Sequence, residues 1–169
     1  MSEANRTSEM NRLLAEMRLQ ASAAPSLKVL QERIVQALAE KFRNYNWTGF
    51  YMLDPEESEM LILGPFFGDP TPHVRIPMTE GICGAAAASG KTVIVDDVNS
   101  DPRYLSCSIK TKSEIVVPIY AHGKVVGEID IDSHSGSAFT RADGAFLESV
   151  AQIVGNYIER NACNFPLSS

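Results

Sequence analysis

Two thiols, two aromatic rings and three carboxylates occur at spacings that could build one reactive pocket. The thiols are Cys83 and Cys107, and Cys107 lies in a polar stretch seven residues before Glu114. Carboxylates attract an ammonium group, and a thiolate is the nucleophilic form of cysteine. These residue types therefore favour a redox enzyme acting on a small cationic molecule over a bare binding module. The rings are those of Trp47 and Tyr51, and the carboxylates are those of Glu114, Asp130 and Asp132.

The composition is that of a globular protein without a nucleic-acid or membrane partner. The chain has 169 residues, 44% of them hydrophobic, and a net charge of −6, which fits one domain over residues 1–169. Nucleic-acid binding requires a basic surface, and no apolar run reaches the length of a membrane span. Three cysteines without framework spacing, and a start without a signal peptide, predict a cytoplasmic protein with free thiols.

Apolar spacing predicts helices at both ends of the chain and a short one between them. We expect an N-terminal helix over residues 1–20 and a second over residues 26–44, with one apolar face. The Ala-rich stretch 81–89 predicts a short helix against a sheet. A capping box at Thr140 opens the last helix, and residues 162–169 are expected to form a loose tail.

Strand-like segments separated by turns connect these helices. Mostly antiparallel strands between flanking helices define an α+β fold, with the first and last helices side by side on one sheet face. A loop is expected over residues 64–72, and a long loop over residues 96–113, whose length in a compact domain is usually functional or mobile. The expected strands cover residues 47–53, 60–63, 74–77, 92–95, 115–120 and 125–132.

The turn between the last two strands decides which sheet face is acidic. A two-residue turn at His122-Gly123 would place Ile115 on the face of Asp130. A three-residue loop with Gly123 in the left-handed conformation shifts the register by one residue, so that Ile115 shares a face with Val125, Ile129 and Ile131. Burial of the apolar side chains favours this second register. The three carboxylates then converge on the opposite face, where a cation or shared protons would relieve their repulsion.

A set of motifs between Trp47 and Phe139 carries a family resemblance. In order they read Asn-Trp-x-Gly-Phe-Tyr, Leu-Gly-Pro-Phe-x-Gly, Val-Arg-Ile-Pro, Gly-Ile-Cys-Gly, a loop Cys, Ser-Glu-Ile-Val-Val-Pro and Ile-Asp-Ile-Asp-Ser. This set resembles the free methionine-(R)-sulfoxide reductases, which are small proteins of the GAF fold. The resemblance implies a GAF-like six-stranded antiparallel sheet, a two-helix layer behind it and a loop-covered small-molecule pocket in front.

The resemblance also implies residue roles. Cys107 matches the catalytic cysteine, while His73 stands where the family usually has its resolving cysteine. Cys83 is then a tentative resolving thiol, although a small buried side chain is its default interpretation. Cys163 has no expected role. The resemblance assigns the substrate amino group and proton delivery to Glu114, Asp130 and Asp132, and the methyl sulfoxide end to Trp47 and Tyr51.

The expected function is reduction of free L-methionine-(R)-S-oxide to methionine through a sulfenic acid or disulfide on Cys107. Glu114 and Asp130 would assist as proton donors. An external thioredoxin-like thiol would restore the enzyme, no bound cofactor or metal is expected, and a homodimer is left open. The alternative is a GAF module that senses a small molecule without chemistry. A peptide-level reductase fits poorly, because three acidic groups suit a free α-amino group better than a peptide bond.

Overall fold

Six antiparallel strands form one sheet in the computed structural model, which describes residues 3–106 and 108–161. In chain order the strands are β1 Trp47–Leu53, β2 Met60–Phe67, β3 Arg75–Pro77, β4 Val93–Val95, β5 Ser113–Ala121 and β6 Lys124–Ser133. They lie side by side in the order β3-β2-β1-β6-β5-β4, so β1 and β6 occupy the centre. The α+β class and the six-stranded antiparallel sheet predicted from the sequence are confirmed.

Helices cover both faces of this sheet. They are α1 Glu3–Ala23, α2 Leu27–Lys41, α3 Gly81–Ser89 and α4 Arg141–Arg160, with a 3-10 turn at Val98–Ser100. The main helix contacts on one face come from α2 and α4, while α1 packs against these two helices and α3 contacts β5 and β6. The first and last helices lie side by side on this side of the sheet, as expected, and α2 packs with them and contacts the sheet. None of the helices among the described residues has the length and apolarity needed to cross a bilayer.

The main hydrophobic core lies between the sheet and the pair α2 and α4. Leu30, Ile34 and Leu38 of α2 are completely buried there, as the apolar spacing of this segment predicts. Burying one such side chain contributes about 1.5–3 kcal/mol. The sheet side of this core consists of Phe50, Ile115, Val117, Ile119, Ile129 and Ile131.

Helices α2 and α4 begin at side-chain caps. The Ser26 hydroxyl accepts a hydrogen bond from the Val29 amide at the start of α2. Thr140 and Asp143 form the predicted capping box at the start of α4. Asp143 also accepts hydrogen bonds from Tyr45, at 2.8 Å, and from Arg6. This buried carboxylate therefore ties α1 and the segment after α2 to the first turn of α4.

The hairpin of β5 and β6 reaches the predicted register by a different route. Ala121 pairs with Lys124, so the turn has two residues, and both His122 (φ 50°) and Gly123 (φ 74°) are left-handed. Such a turn matches the twist of a hairpin. The predicted three-residue loop is therefore wrong.

A bulge farther along the hairpin supplies the one-residue shift. The register changes between Ile119, which pairs with Gly127, and Tyr120, which pairs with Val125. Beyond the bulge Ile115 pairs with Ile131, so the predicted division into an apolar and an acidic face is confirmed. Val125 is the exception, because it precedes the bulge and packs on the acidic side of the sheet.

Several predicted boundaries differ from the observed ones. Because β2 continues pairing with β1 as far as Phe67, the first long loop starts later than expected. The last turn expected for the helix over 26–44 is absent, since α2 ends at Lys41. The 3-10 turn interrupts the second long loop. The tail predicted over residues 162–169 lies outside the described residues.

Candidate active site

Four carboxylates form the floor of the candidate site. Side chains alternate between the two faces of a strand, so Glu128, Asp130 and Asp132 of β6 point to the same face. Glu114 of β5 joins them, because it pairs directly with Asp132. The four side chains are almost fully buried, with exposed fractions of 6% or less. The predicted convergence of Glu114, Asp130 and Asp132 is confirmed. Glu128 was missed as a member, although the alternation along β6 indicates it.

Burial and mutual repulsion raise the pKa values of these carboxyl groups. Burial raises the pKa of Asp132 to about 7, against a hydrogen bond from Thr111 that lowers it. The pKa of Glu114 lies well above its usual value, first because of burial and then because of Asp130 and Asp132. Burial and the charge of Asp132 likewise raise the pKa of Asp130. The floor therefore holds protons near neutral pH, and a protonated carboxyl can serve as a general acid.

Cys83 lies directly above the floor, in the first turn of α3. Its thiol donates a hydrogen bond to Asp130 Oδ2 at 3.5 Å, and its side chain is buried. Burial, followed by the charges of Asp130 and Glu128, raises the pKa of this thiol well above its usual value. Gly84 lets α3 pack closely against the segment that follows β3, since a Cβ there would lie 2.8 Å from the Met78 carbonyl oxygen.

Aromatic rings form one wall of the site. Trp47 and Tyr51 follow the alternation of β1, with ring centroids 6.3 Å apart. Trp47 also stacks on Phe66 at 5.5 Å, a contact that the sequence did not predict because this residue was expected in a loop. The Tyr51 hydroxyl donates to the His73 carbonyl oxygen at 2.7 Å, and Trp47 Nε1 donates to the Asp69 carbonyl oxygen at 3.1 Å.

Two loops meet over the site and close its mouth. His73 Nε2 lies 3.1 Å from the Ser106 carbonyl oxygen, and Lys110 Nζ lies 3.1 Å from Asp69 Oδ2. Beneath these contacts a cavity of about 20 Å³ remains beside Asp132. That volume holds about one water molecule, so an amino acid does not fit it with the loops in this conformation.

Cys107, the predicted nucleophile, lies outside the described residues. Of its two neighbours, Ser106 makes the contact with His73, and Ser108 lines the small cavity. Cys163 also lies outside the described residues. The structure therefore assembles the predicted carboxylates and rings in one place, with Cys83 beside them.

Family comparison places this fold in a known class. Residues 24–159 match the GAF domain family, which covers most of the chain and every element from β1 to β6. The fold and the site thus define a GAF domain. The structure of free methionine-R-sulfoxide reductase from Neisseria meningitidis in complex with its substrate superposes with a TM-score of 0.88, at 31% identity over 96% of both chains. A substrate complex of the Staphylococcus aureus protein gives 0.75, at 32% identity over 86% of this chain and 95% of that one.

Two relatives identify the family within the GAF domain proteins. Free methionine-R-sulfoxide reductase of Escherichia coli is 38% identical over 117 residues, which are 69% of this chain and 68% of that protein. The Saccharomyces cerevisiae protein of the same name is 44% identical over 110 residues, 64% of this chain and 61% of that protein. The chain belongs to the free methionine-(R)-sulfoxide reductase family of GAF proteins.

Proposed function

We propose that this protein reduces free L-methionine-(R)-S-oxide to methionine, with Cys107 as the nucleophile. The observation that carries the proposal is the buried floor of Glu114, Asp130 and Asp132 in a chain similar to substrate-bound reductases. Buried carboxylates are relieved by protons or by a cationic partner, and the α-ammonium group of a free amino acid supplies such a partner. A peptide nitrogen carries no such charge.

Substrate recognition uses the floor and the aromatic wall together. Asp130 Oδ1 is buried without a hydrogen-bond partner, so it is available to accept from the ammonium group. Trp47 and Tyr51 lie on the same sheet face, where the methyl group of the sulfoxide end can pack against their rings. The amino acid is thereby held with its charged end on Glu114, Asp130 and Asp132 and its sulfur against the rings.

The chemical step transfers two electrons from the cysteine to the sulfoxide. The Cys107 thiolate attacks the sulfoxide sulfur, and the sulfoxide oxygen takes a proton as its bond to sulfur breaks. Water or the released hydroxide then attacks the Cys107 sulfur, which breaks its new bond to the substrate sulfur, releases methionine and leaves a sulfenic acid on Cys107. Of Glu114 and Asp130, one pairs with the ammonium group as a carboxylate and the other donates the proton, because a carboxyl with a raised pKa still carries a proton near neutral pH. General acid assistance of this kind contributes roughly 10²–10⁴ in rate.

Two further thiols return Cys107 to its reduced form: the first forms a disulfide with it, and the second breaks that disulfide by exchange. A sulfenic acid condenses with a thiol to a disulfide and releases water. Cys83 is disfavoured in this step by its burial and its raised pKa, because the thiolate is the attacking species. An external thiol, such as a thioredoxin-like protein, is therefore the first candidate, and Cys83 is the second. The homodimer and the cytoplasmic location stay predictions.

The test replaces Cys107 with Ser and follows methionine formation from the free R epimer with dithiothreitol. We expect turnover to disappear while methionine still binds, because serine keeps the size of the side chain but is a poor nucleophile. Cys163→Ser serves as the matched control and should keep full activity. Turnover retained by the Cys107 variant would exclude this nucleophile, and binding without turnover in the unaltered protein would favour a sensing module.

A further inference from the structure

Cys83 has no essential role in the proposed reaction, although its thiol is buried beside two carboxyl groups. Cys83 Sγ, a Glu114 oxygen and an Asp130 oxygen lie within 4.8 Å of one another. They come from α3, β5 and β6, which is why the linear sequence shows no metal-ligand spacing.

One oxygen of this cluster has no partner. Asp130 Oδ1 makes no hydrogen bond, although Asp130 is only 3% exposed. A buried polar atom without a partner is costly, and a bound cation would satisfy this oxygen.

We propose that Cys83, Glu114 and Asp130 form a binding site for a thiophilic divalent metal ion of the zinc class, and that its occupation inhibits the protein. The binding part stands on the geometry of the three side chains. The inhibitory part rests on the function proposed above, because the metal takes the position assigned to the substrate ammonium group.

The separations fit tetrahedral coordination. Zinc bonds of about 2.3 Å to sulfur and about 2.0 Å to oxygen place neighbouring ligand atoms roughly 3.5 Å apart. Cys83 Sγ and Asp130 Oδ2 are already 3.5 Å apart. The remaining separations, at most 4.8 Å, close with side-chain shifts on the order of 1 Å. Three protein ligands leave a fourth position open for water.

The ligand set selects the kind of metal. Magnesium and calcium prefer sites made only of oxygen, whereas a thiolate beside carboxylates suits zinc and similar ions. The ion also offsets the charge of a thiolate and two carboxylates, which lose their protons on binding. Repulsion then keeps the substrate ammonium group away from Asp130, since both cations require the same oxygens.

Cobalt(II) provides the probe, because thiolate coordination gives it a charge-transfer band in the near ultraviolet. The reduced, chelator-treated full chain should bind one equivalent with this band and with the visible bands of tetrahedral cobalt. Cys83→Ser should abolish the charge-transfer band, and Asp130→Asn should weaken binding by roughly tenfold or more. Cys107→Ser and Cys163→Ser should both keep the band. If the unaltered protein lacks the charge-transfer band, or the Cys83 variant keeps it, the proposed metal site is refuted.

Kinetics test the inhibitory part separately. Zinc at ten times its dissociation constant should raise the apparent KM for methionine sulfoxide about elevenfold and leave kcat unchanged. Excess methionine should displace cobalt and bleach its bands. A cobalt site in a protein without reductase activity would leave the metal site standing and refute the proposed function. An active reductase without the cobalt bands would refute the metal site alone.

Discussion

Asp130 is the residue at which the parts of the site meet. Its Oδ2 accepts a hydrogen bond from the Cys83 thiol, while its Oδ1 has no hydrogen-bond partner. On the sheet it lies opposite Gly49 of β1 and Val116 of β5, in the two central pairings of β6. The absence of a side chain at Gly49 leaves space for the Trp47 ring, which a Cβ would approach to 2.4 Å. The Trp47 ring therefore lies beside the strand position opposite Asp130.

Asp130→Asn should weaken binding of free methionine-(R)-sulfoxide. A hydrogen bond to a charged group contributes about 1.5–3 kcal/mol, so its loss should raise KM roughly 10–100-fold. Steady-state kinetics, together with calorimetry of methionine binding, measure the effect. Asp96→Asn, at an exposed position after β4, is the control with an unaltered KM. An Asp130 variant with the KM of the unaltered protein would refute the contact.

The sequence predicts which residues belong to the site better than it predicts the contacts between them. Alternation along β6 and the motif order predict the carboxylates, because residue type and strand period are both visible in the chain. The position of Cys83 over Asp130 depends on how closely α3 approaches the sheet, which no local pattern encodes. Phe66 was missed because Gly64 and Pro65 favour a loop, whereas pairing with β1 holds this segment in a strand.

Among the elements, α4 shows how closely a helix can approach the sheet. Gly155 faces β5 so tightly that a Cβ would lie 2.0 Å from the Tyr120 carbonyl oxygen. Gly144 in the same helix would place its Cβ 3.7 Å from the Ile94 side chain, an ordinary contact. Glycine is therefore required on steric grounds at position 155 but not at position 144.

Alanine at these two positions should change stability in opposite directions. Gly155→Ala forces α4 away from β5 and should lower the free energy of unfolding by about 1–3 kcal/mol or more. Gly144→Ala should raise it by about 0.5–1 kcal/mol, because alanine loses less backbone entropy in a helix. Urea unfolding followed by circular dichroism measures both. Equal effects of the same sign would contradict the proposed steric role of Gly155.

The hairpin shows what an element's sequence can and cannot specify. The isoleucines of β5 and β6 require a register shift of one residue, and this was predicted correctly. A longer turn and a bulge produce the same shift, so the apolar pattern alone does not distinguish them. His122-Gly123 adopts the two-residue turn, and the extra residue is accommodated between Val125 and Gly127.

For the whole molecule, the acidic floor lowers the free energy of unfolding by an amount that depends on pH. Its carboxyl groups bind protons more tightly in the folded chain, because burial raises their pKa values above 3.8 for Asp and 4.5 for Glu. Unfolding therefore releases protons, and the free energy of unfolding falls as pH rises from about 4 through the raised values, about 7 for Asp132. Asp143 acts in the opposite sense: burial alone would raise its pKa, but hydrogen bonds from Arg6 and Thr140 keep it low.

Glu128→Gln should reduce this dependence on pH. Burial raises the pKa of Glu128 well above its usual value, so an amide avoids the cost of a buried charge at high pH. We expect the variant to be more stable than the unaltered protein at pH 8, and no more stable at pH 4. Urea titrations at both values measure the difference. Glu56→Gln, in the exposed turn after β1, is the control, and identical pH profiles for all three proteins would contradict the prediction.

The contacts across the mouth have a consequence for how fast product can leave. Lys110 and Asp69 have side chains that are 59% and 68% exposed, so dissolved ions reach both charges and weaken their attraction. The carboxylates beneath them are shielded from the same ions by burial. Ionic strength therefore acts on the opening of the loops far more than on the bond-breaking step, and a protein limited by release should turn over faster as salt is added.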